Sequence, residues 1–228
     1  MKVHSAFRFT IFAAVLLGTS AAALSISSVA AHAAAAPASH KSAMHDSTAH
    51  ATFAMGCFWS AQSAFEDRPG VISVTSGYTG GHVPNPSYED VSTGMTGHFE
   101  AIDIVYDPAR TSYDKLLDIF WLNVDPTQSD GQFCDRAPEY RSIVFYHDEA
   151  QRQAAQKTMH EMAASLRVKK PIVTQILPAG PFYDAEEYHQ HFAKKNPEHY
   201  MLYREGCGRD ARLMQLWGKL DAHAAAAK

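Results

Sequence analysis

The chain has 228 residues and a formal net charge of -4, enough for one substantial domain with tails. It has no basic run or stripe of the kind that tracks a phosphate backbone, which argues against nucleic acid as a partner. Its three cysteines form no CxxC pair, and an odd number cannot all be locked in structural disulfides, so at least one thiol is free or switching.

Residues 1–33 read as a secretory signal. Lys2 and Arg8 give a basic start, Phe9 to Leu24 an apolar run, and Ala31-His32-Ala33 small residues at a cleavage site. The rival reading, an uncleaved anchor, has too short an apolar stretch for a span, so no stable membrane insertion is expected after cleavage. Either way the domain is exported, with the periplasm as the expected compartment, and disulfides are tolerated there. Residues 34–50, rich in Ala, Pro, Ser and His, read as a flexible linker. His32, His40, His45 and His50 are irregularly spaced and joined by no cysteine or carboxylate cluster, which favours a solvated tail over a metal site. A single domain is expected over residues 51–228.

Ala51 to Gly56 reads as a short buried strand, and Cys57 to Asp67 as a helix stopped by Arg68-Pro69-Gly70. Val71 to Tyr78 alternates as a half-buried strand does. Thr79 to Pro86 is a loop of glycines and prolines, and His98 to Tyr106 is the next strand. Ser112 to Asn123 carries apolar residues at helical spacing; Asp125 to Glu139 is a long polar loop; Arg141 to Tyr146 is a strand. Asp148 to Arg167 is an amphipathic helix, and Ile172 to Leu177 a further strand. A short helix near Glu186 to Phe192 precedes a tail in which Gly206-Cys207-Gly208 is followed by Leu213, Leu216 and Trp217 at helical spacing. This alternation suits an α+β fold, a compact two-layer α/β sandwich, better than a large doubly wound sheet.

Cys57 stands where a strand meets a helix. Unpaired N–H groups and the macrodipole favour an anion there, so the thiol is expected to ionise readily and is a candidate nucleophile. The competing reading is a core cysteine, since free Cys is among the most buried residue types. Phe58 and Trp59 are candidate walls of an apolar pocket. Glu100, flanked by Phe99, Ala101 and Ile102, is either a desolvated acid with a raised pKa or a carboxylate on the solvent face of its strand. Tyr88 and Tyr140 are either neutral donors to a substrate oxygen or core tyrosines. Asp135 lies in a loop, where solvation is the default.

Taken in order, these residues resemble the A-type peptide methionine sulfoxide reductases. The blocks that carry the likeness are Gly56-Cys57-Phe58-Trp59-Ser60, Gly77-Tyr78-Thr79-Gly80-Gly81, Asn85-Pro86-Ser87-Tyr88 and Thr96-Gly97-His98-Phe99-Glu100-Ala101. Tyr106-Asp107-Pro108, Asp135 through Tyr140-Arg141-Ser142, and Phe182-Tyr183 with Glu186, His189 and Gln190 follow, so the likeness runs from Ala51 to Trp217. It implies a ferredoxin-like core with a mixed sheet, closed by a long irregular C-terminal tail.

The same resemblance implies that Cys57 attacks the sulfur of methionine S-sulfoxide, free or in proteins, and that Glu100 protonates the departing oxygen. Tyr88 and Tyr140 would hydrogen-bond that oxygen, Phe58 and Trp59 would hold the methyl group, and Asp135 would order the polar side of the pocket. Cys57 then becomes a sulfenic acid. Cys207 is expected to resolve it, with Cys134 as the rival, able to resolve directly, to pass the disulfide onward or to stand by. A thioredoxin-like reductant would reopen the disulfide. No cofactor, no metal and no oligomer is expected. Ser60, Phe99 and Ala137 depart from the family pattern beside the site but spare the reacting groups.

Two rival functions follow from other features. A cysteine hydrolase would use Cys57 with His98 or His189 as base. An exported metal-binding protein would use the histidine tail.

Overall fold

A computed structural model describes residues 48–219. The signal and nearly all of the linker expected before them lie outside the described residues.

Seven strand residues come first, β1 (Ala49–Met55), followed by helix α1 (Phe58–Phe65). Strand β2 (Val71–Thr79), helix α2 (Tyr88–Ser92) and strand β3 (Phe99–Tyr106) follow. Then come helix α3 (Tyr113–Leu122), strand β4 (Ser142–Tyr146), helix α4 (Glu149–Ser165) and strands β5 (Gln175–Pro178) and β6 (Phe182–Asp184). Three helices end the chain: α5 (Phe192–Lys195), α6 (Pro197–Gly206) and α7 (Arg209–Trp217).

The strands form one six-stranded sheet in the order β5-β4-β1-β3-β2-β6. Every pairing is antiparallel except β4 with β5, so the sheet is mixed. The inner order β4-β1-β3-β2, with α1 between β1 and β2 and helix α3 between β3 and β4, is the ferredoxin-like βαββαβ arrangement.

Alternation along β1 explains how the sheet is covered. Ala51, Phe53 and Met55 face a core built with Phe58, Ala61 and Phe65 of α1 and Leu116, Leu117 and Phe120 of α3. Ala54 points the other way, into a smaller cluster with Phe99, Ala101, Ile143 and Phe145. Both faces of β1 are therefore dry from Ala51 to Met55, the end that delivers Cys57. Truncating Phe53, which stacks with Phe65 and Phe120, would cost about 3–5 kcal/mol. Trp121 of α3 donates its indole N–H to Thr158 of α4 at 3.0 Å, which satisfies the polar atom of a fully buried side chain.

Several boundaries differ from expectation. Strand β1 starts at Ala49, so Ala49 and His50 belong to the sheet rather than the linker; the His50 ring bonds Asp103 at 2.9 Å. Helix α2 was not expected. Ser87 and Asp90 close a reciprocal capping box on it, and that local device starts a helix too short to show periodicity.

The C-terminal stretch is helical rather than irregular. Asn196-Pro197 places proline at the first position of α6, where a missing N–H costs nothing. Gly208, at φ 64°, makes the tight turn into α7. Leu213, Leu216 and Trp217 then bury one face of α7 against Phe133.

Candidate active site

Helix α1 begins directly after Cys57, whose carbonyl accepts from the N–H groups of Ser60 and Ala61. Gly56 has φ 80°, and a Cβ there would lie 2.6 Å from Cβ of Gln132, so only glycine fits between strand and helix. Cys57 is buried and free. It opens on a cavity of about 100 Å³ that also receives Phe58, Trp59, Tyr88, Glu100, Asp135 and Tyr140. All seven residues proposed from the sequence for chemistry and substrate contact thus line one small space, although they come from four separate parts of the chain.

Glu100 is 3 % exposed, which removes the reading of a solvent-facing carboxylate. Burial pushes its pKa up to about 8, with Asp135 and Glu139 adding to the effect and bonds from the Phe58 N–H and Tyr140 opposing it. The Phe58 N–H donates to Oε2 of Glu100 at 2.9 Å. A free N–H at the start of α1 is therefore engaged by the carboxyl group, while the thiol makes no capping bond. This alters the expectation for Cys57. Burial, then the Glu100 and Asp135 carboxyls, push its pKa up rather than down, with Tyr203 and the Trp59 N–H offsetting only part. At rest Cys57 is a thiol.

Aromatic packing holds the apolar wall. The Trp59 indole stacks on Phe192 with ring centroids 3.6 Å apart and planes 5° apart, and its N–H donates to Nδ1 of His189 at 3.0 Å. His189 also lies against Phe58 at 4.9 Å and Tyr88 at 4.6 Å. Burial keeps its imidazole neutral by lowering the pKa, and the buried Nε2 has no partner among the described residues. Because Nδ1 accepts from Trp59, Nε2 carries the proton and is a donor.

Tyr140 faces Glu100 and Tyr88 across the cavity. Burial raises the pKa of both tyrosines, so they stay neutral phenols. Glu186 fixes Tyr88 from behind, accepting from its backbone N–H and from the Tyr78 hydroxyl, each at 2.8 Å. Asp135 accepts from the Tyr203 hydroxyl at 2.5 Å, and burial raises its pKa. Sequence reasoning missed Tyr203 entirely and placed His189 beside Cys57 only as a base of the rival hydrolase. Tyr203 stands 4 positions before Cys207 on a helix with no motif to mark it. His189 had a signal, since it belongs to a block that carried the resemblance.

Cys134 and Cys207 are joined in a disulfide, with Cα atoms 4.9 Å apart. Cys134 is exposed and Cys207 half-buried, beside a polar groove of about 650 Å³. The pair adjoins the pocket through Asp135, the neighbour of Cys134. The hydrolase reading finds no base. His98 accepts from the Gly81 N–H at 3.1 Å and donates through Nε2 to the Val83 carbonyl at 2.7 Å, so both ring nitrogens are committed. His189 presents a donor.

A free cysteine at a helix start, a protonated carboxyl group and two phenols around an apolar pocket, with a second cysteine pair close by, define a cysteine-dependent oxidoreductase on a ferredoxin-like sheet. The family described as peptide methionine sulfoxide reductase matches residues 49–221. The peptide methionine sulfoxide reductase MsrA of Bacillus licheniformis is 51% identical over 169 residues, covering 74% of this chain and 93% of that protein. Its Bacillus subtilis counterpart is 49% identical over 175 residues, covering 77% and 99%. Among solved structures, methionine sulfoxide reductase A of Corynebacterium diphtheriae aligns with TM-score 0.63 and 35% identity, covering 66% of this chain and 76% of that one. Mxr1 from Saccharomyces cerevisiae in reduced form aligns with TM-score 0.62 and 32% identity, covering 66% and 87%.

The chain belongs to the peptide methionine sulfoxide reductase family. Its activity is the reduction of peptide-methionine (S)-S-oxide.

Proposed function

We propose that Cys57, Glu100, Tyr88 and Tyr140 carry out the reduction starting from a protonated thiol and a protonated carboxyl group, and that Cys207 and Cys134 then move the oxidation to the surface. The observation that carries this reading is the shared cavity: a buried thiol, a carboxyl group protonated up to about pH 8, two neutral phenols and two aromatic walls line the same 100 Å³. A methyl sulfoxide has an apolar methyl group and a strongly accepting oxygen, which are the two ends this cavity serves. Phe58 and Trp59 take the methyl group, Tyr88 and Tyr140 donate to the oxygen, and Asp135 orders the polar side through Tyr203.

Glu100 gives its proton to the sulfoxide oxygen as the Cys57 sulfur attacks the sulfoxide sulfur, and the carboxylate takes up the thiol proton. Methionine leaves and Cys57 holds the oxygen as a sulfenic acid, so one thiol and one sulfoxide become one sulfenic acid and one thioether. No separated charge forms in the low-dielectric pocket, which is why a thiol with a raised pKa still serves.

The Cys207 thiol next displaces water from the sulfenic acid, giving a Cys57–Cys207 disulfide. Cys134 attacks Cys207 and releases the Cys57 thiol, leaving the disulfide found between Cys134 and Cys207. Of the roles open to Cys134 from sequence, this pairing favours passing the disulfide onward. A thioredoxin-like dithiol then reduces the surface pair.

The enzyme works as an exported monomer on oxidised proteins outside the cytoplasm. The basic start and apolar run of residues 1–33 support export, and N-terminal sequencing of protein from the periplasmic fraction checks it. The chemical reading is tested by reacting reduced enzyme with one equivalent of a dabsyl-methionine S-sulfoxide, counting thiols and mapping the disulfide. One methionine per chain with a Cys134–Cys207 bond is expected; hydrolysis of a peptide ester without reductant would count against it.

A further inference from the structure

Arg209 is 1 % exposed and ranks among the largest fully buried side chains. Its neighbours in the helix sequence are paired with acids: Arg204 with Asp210 at 2.5 Å and Arg212 with Asp125 at 2.7 Å. Arg209 makes no ion pair among the described residues. Its guanidinium donates instead to two backbone carbonyls, Asn123 at 2.9 Å and Met55 at 3.1 Å, and lies over the Phe133 ring at 4.2 Å. The Asp135 carboxyl is near enough to feel this charge but forms no direct pair with it; burying a charge with no carboxylate in contact is costly, and an apolar residue of similar volume would fill such a site at less cost. Something other than stability is therefore served.

The partners show what it is. Met55 closes β1 and stands two residues before Cys57; Phe133 immediately precedes Cys134; Arg209 itself stands two residues after Cys207. One planar group thus touches the chain beside all three cysteines. A Cβ placed on Gly56 would lie 3.4 Å from Nη2, so the guanidinium is seated against the backbone that leads into the nucleophile. Only a forked donor spans two carbonyls while stacking on a ring, which lysine cannot do.

We propose that Arg209 is a positioning residue for disulfide transfer, holding the segments that carry Cys57, Cys134 and Cys207 within reach of one another. This inference rests on the relay in which Cys207 resolves Cys57. Two tethers of two residues each keep the thiols of Cys57 and Cys207 close to the anchor, while Gly208 leaves the backbone between Cys207 and Arg209 free to turn. Proximity of this kind acts on the second chemical step and leaves the sulfoxide pocket alone.

The test compares the wild-type protein with Arg209→Met, Arg209→Lys and Phe133→Leu by rapid quench, starting from reduced enzyme and one equivalent of methionine sulfoxide. Methionine release reports the first step, and thiol loss with peptide mapping reports disulfide transfer. In Arg209→Met, release should stay within about 2-fold of wild type while disulfide transfer slows on the order of 10- to 100-fold. Arg209→Lys should restore little, and Phe133→Leu should slow transfer by a smaller factor. Wild-type transfer in Arg209→Met, or equal slowing of both steps, overturns the proposal. If Arg209→Met does not fold, unchanged transfer in both other variants overturns it. Cys207→Ala in the same assay must abolish disulfide formation; if it does not, the relay itself fails, whatever the Arg209 variants show.

Discussion

The Cys57 pocket and the Cys134–Cys207 pair are two cysteine sites built on opposite principles. The first sits at the buried end of β1, with phenols and a protonated carboxyl group in its lining and its thiol held protonated. The second joins a loop to the turn between two C-terminal helices, with Cys134 exposed and Cys207 on the wall of a polar groove. Sulfoxide reduction needs an excluded, preorganised site, because donors aimed at a developing hydroxyl are worth more where water is absent. Recycling needs a disulfide that another protein can reach. In the proposed cycle one small domain meets both demands by separating the sites and carrying the oxidation between them as a disulfide.

The sharpest way to break this division is Cys57→Ser. It should reduce methionine formation by roughly 10⁴-fold or more in a coupled assay while circular dichroism and Tm stay unchanged. Retained activity would mean that the surface pair also performs the first step.

Next in size is Glu100→Gln, expected to slow the first turnover by about 10²- to 10⁴-fold. Its pH dependence carries a sign. The acid form of Glu100 is present below about pH 8 and lost as pH rises through that value, so the wild-type first-turnover rate should be level below pH 8 and fall above it. Glu100→Gln should lose that fall; a profile unchanged by the substitution would remove Glu100 as the proton donor.

Cys207→Ala separates the two sites more gently. The first turnover should keep its wild-type rate and yield one methionine per chain, after which a thioredoxin donor should fail to sustain the cycle. Undiminished recycling would transfer the resolving role to Cys134. The smallest effects belong to the oxygen contacts. Tyr88→Phe and Tyr140→Phe should each cost about 0.5–1.5 kcal/mol in kcat/KM, with the double variant losing more than either, as measured by steady-state kinetics.

Legibility in the sequence differed between the two sites for a physical reason. Residues around Cys57 lie in blocks whose types are dictated by chemistry: a glycine forced by a positive φ, a thiol, aromatic walls, a carboxyl group and phenols. Their approximate elements could be read from alternation and breaker residues, and β2, β3 and β4 fall close to where the pattern put them. The C-terminal helices were harder to read. Helix α6 buries Tyr200 and Arg204 but exposes Leu202, so its apolar stripe is faint, and its amphipathic character depends on what it covers.

By itself the sequence determined the family and the class of substrate, and it named Cys57 and Glu100, the residues proposed as nucleophile and acid, because these rest on residue types that recur in a fixed order. Tertiary structure alone decided the rest. It set the protonation of Cys57, since burial outweighs the helix end whose N–H is engaged by Glu100. It brought Tyr203 to Asp135 across 68 positions and joined Cys134 to Cys207 across 73. It also placed Arg209 against the backbone of β1. Desolvation and long-range contact are properties of the folded packing, and no local pattern in the chain encodes them.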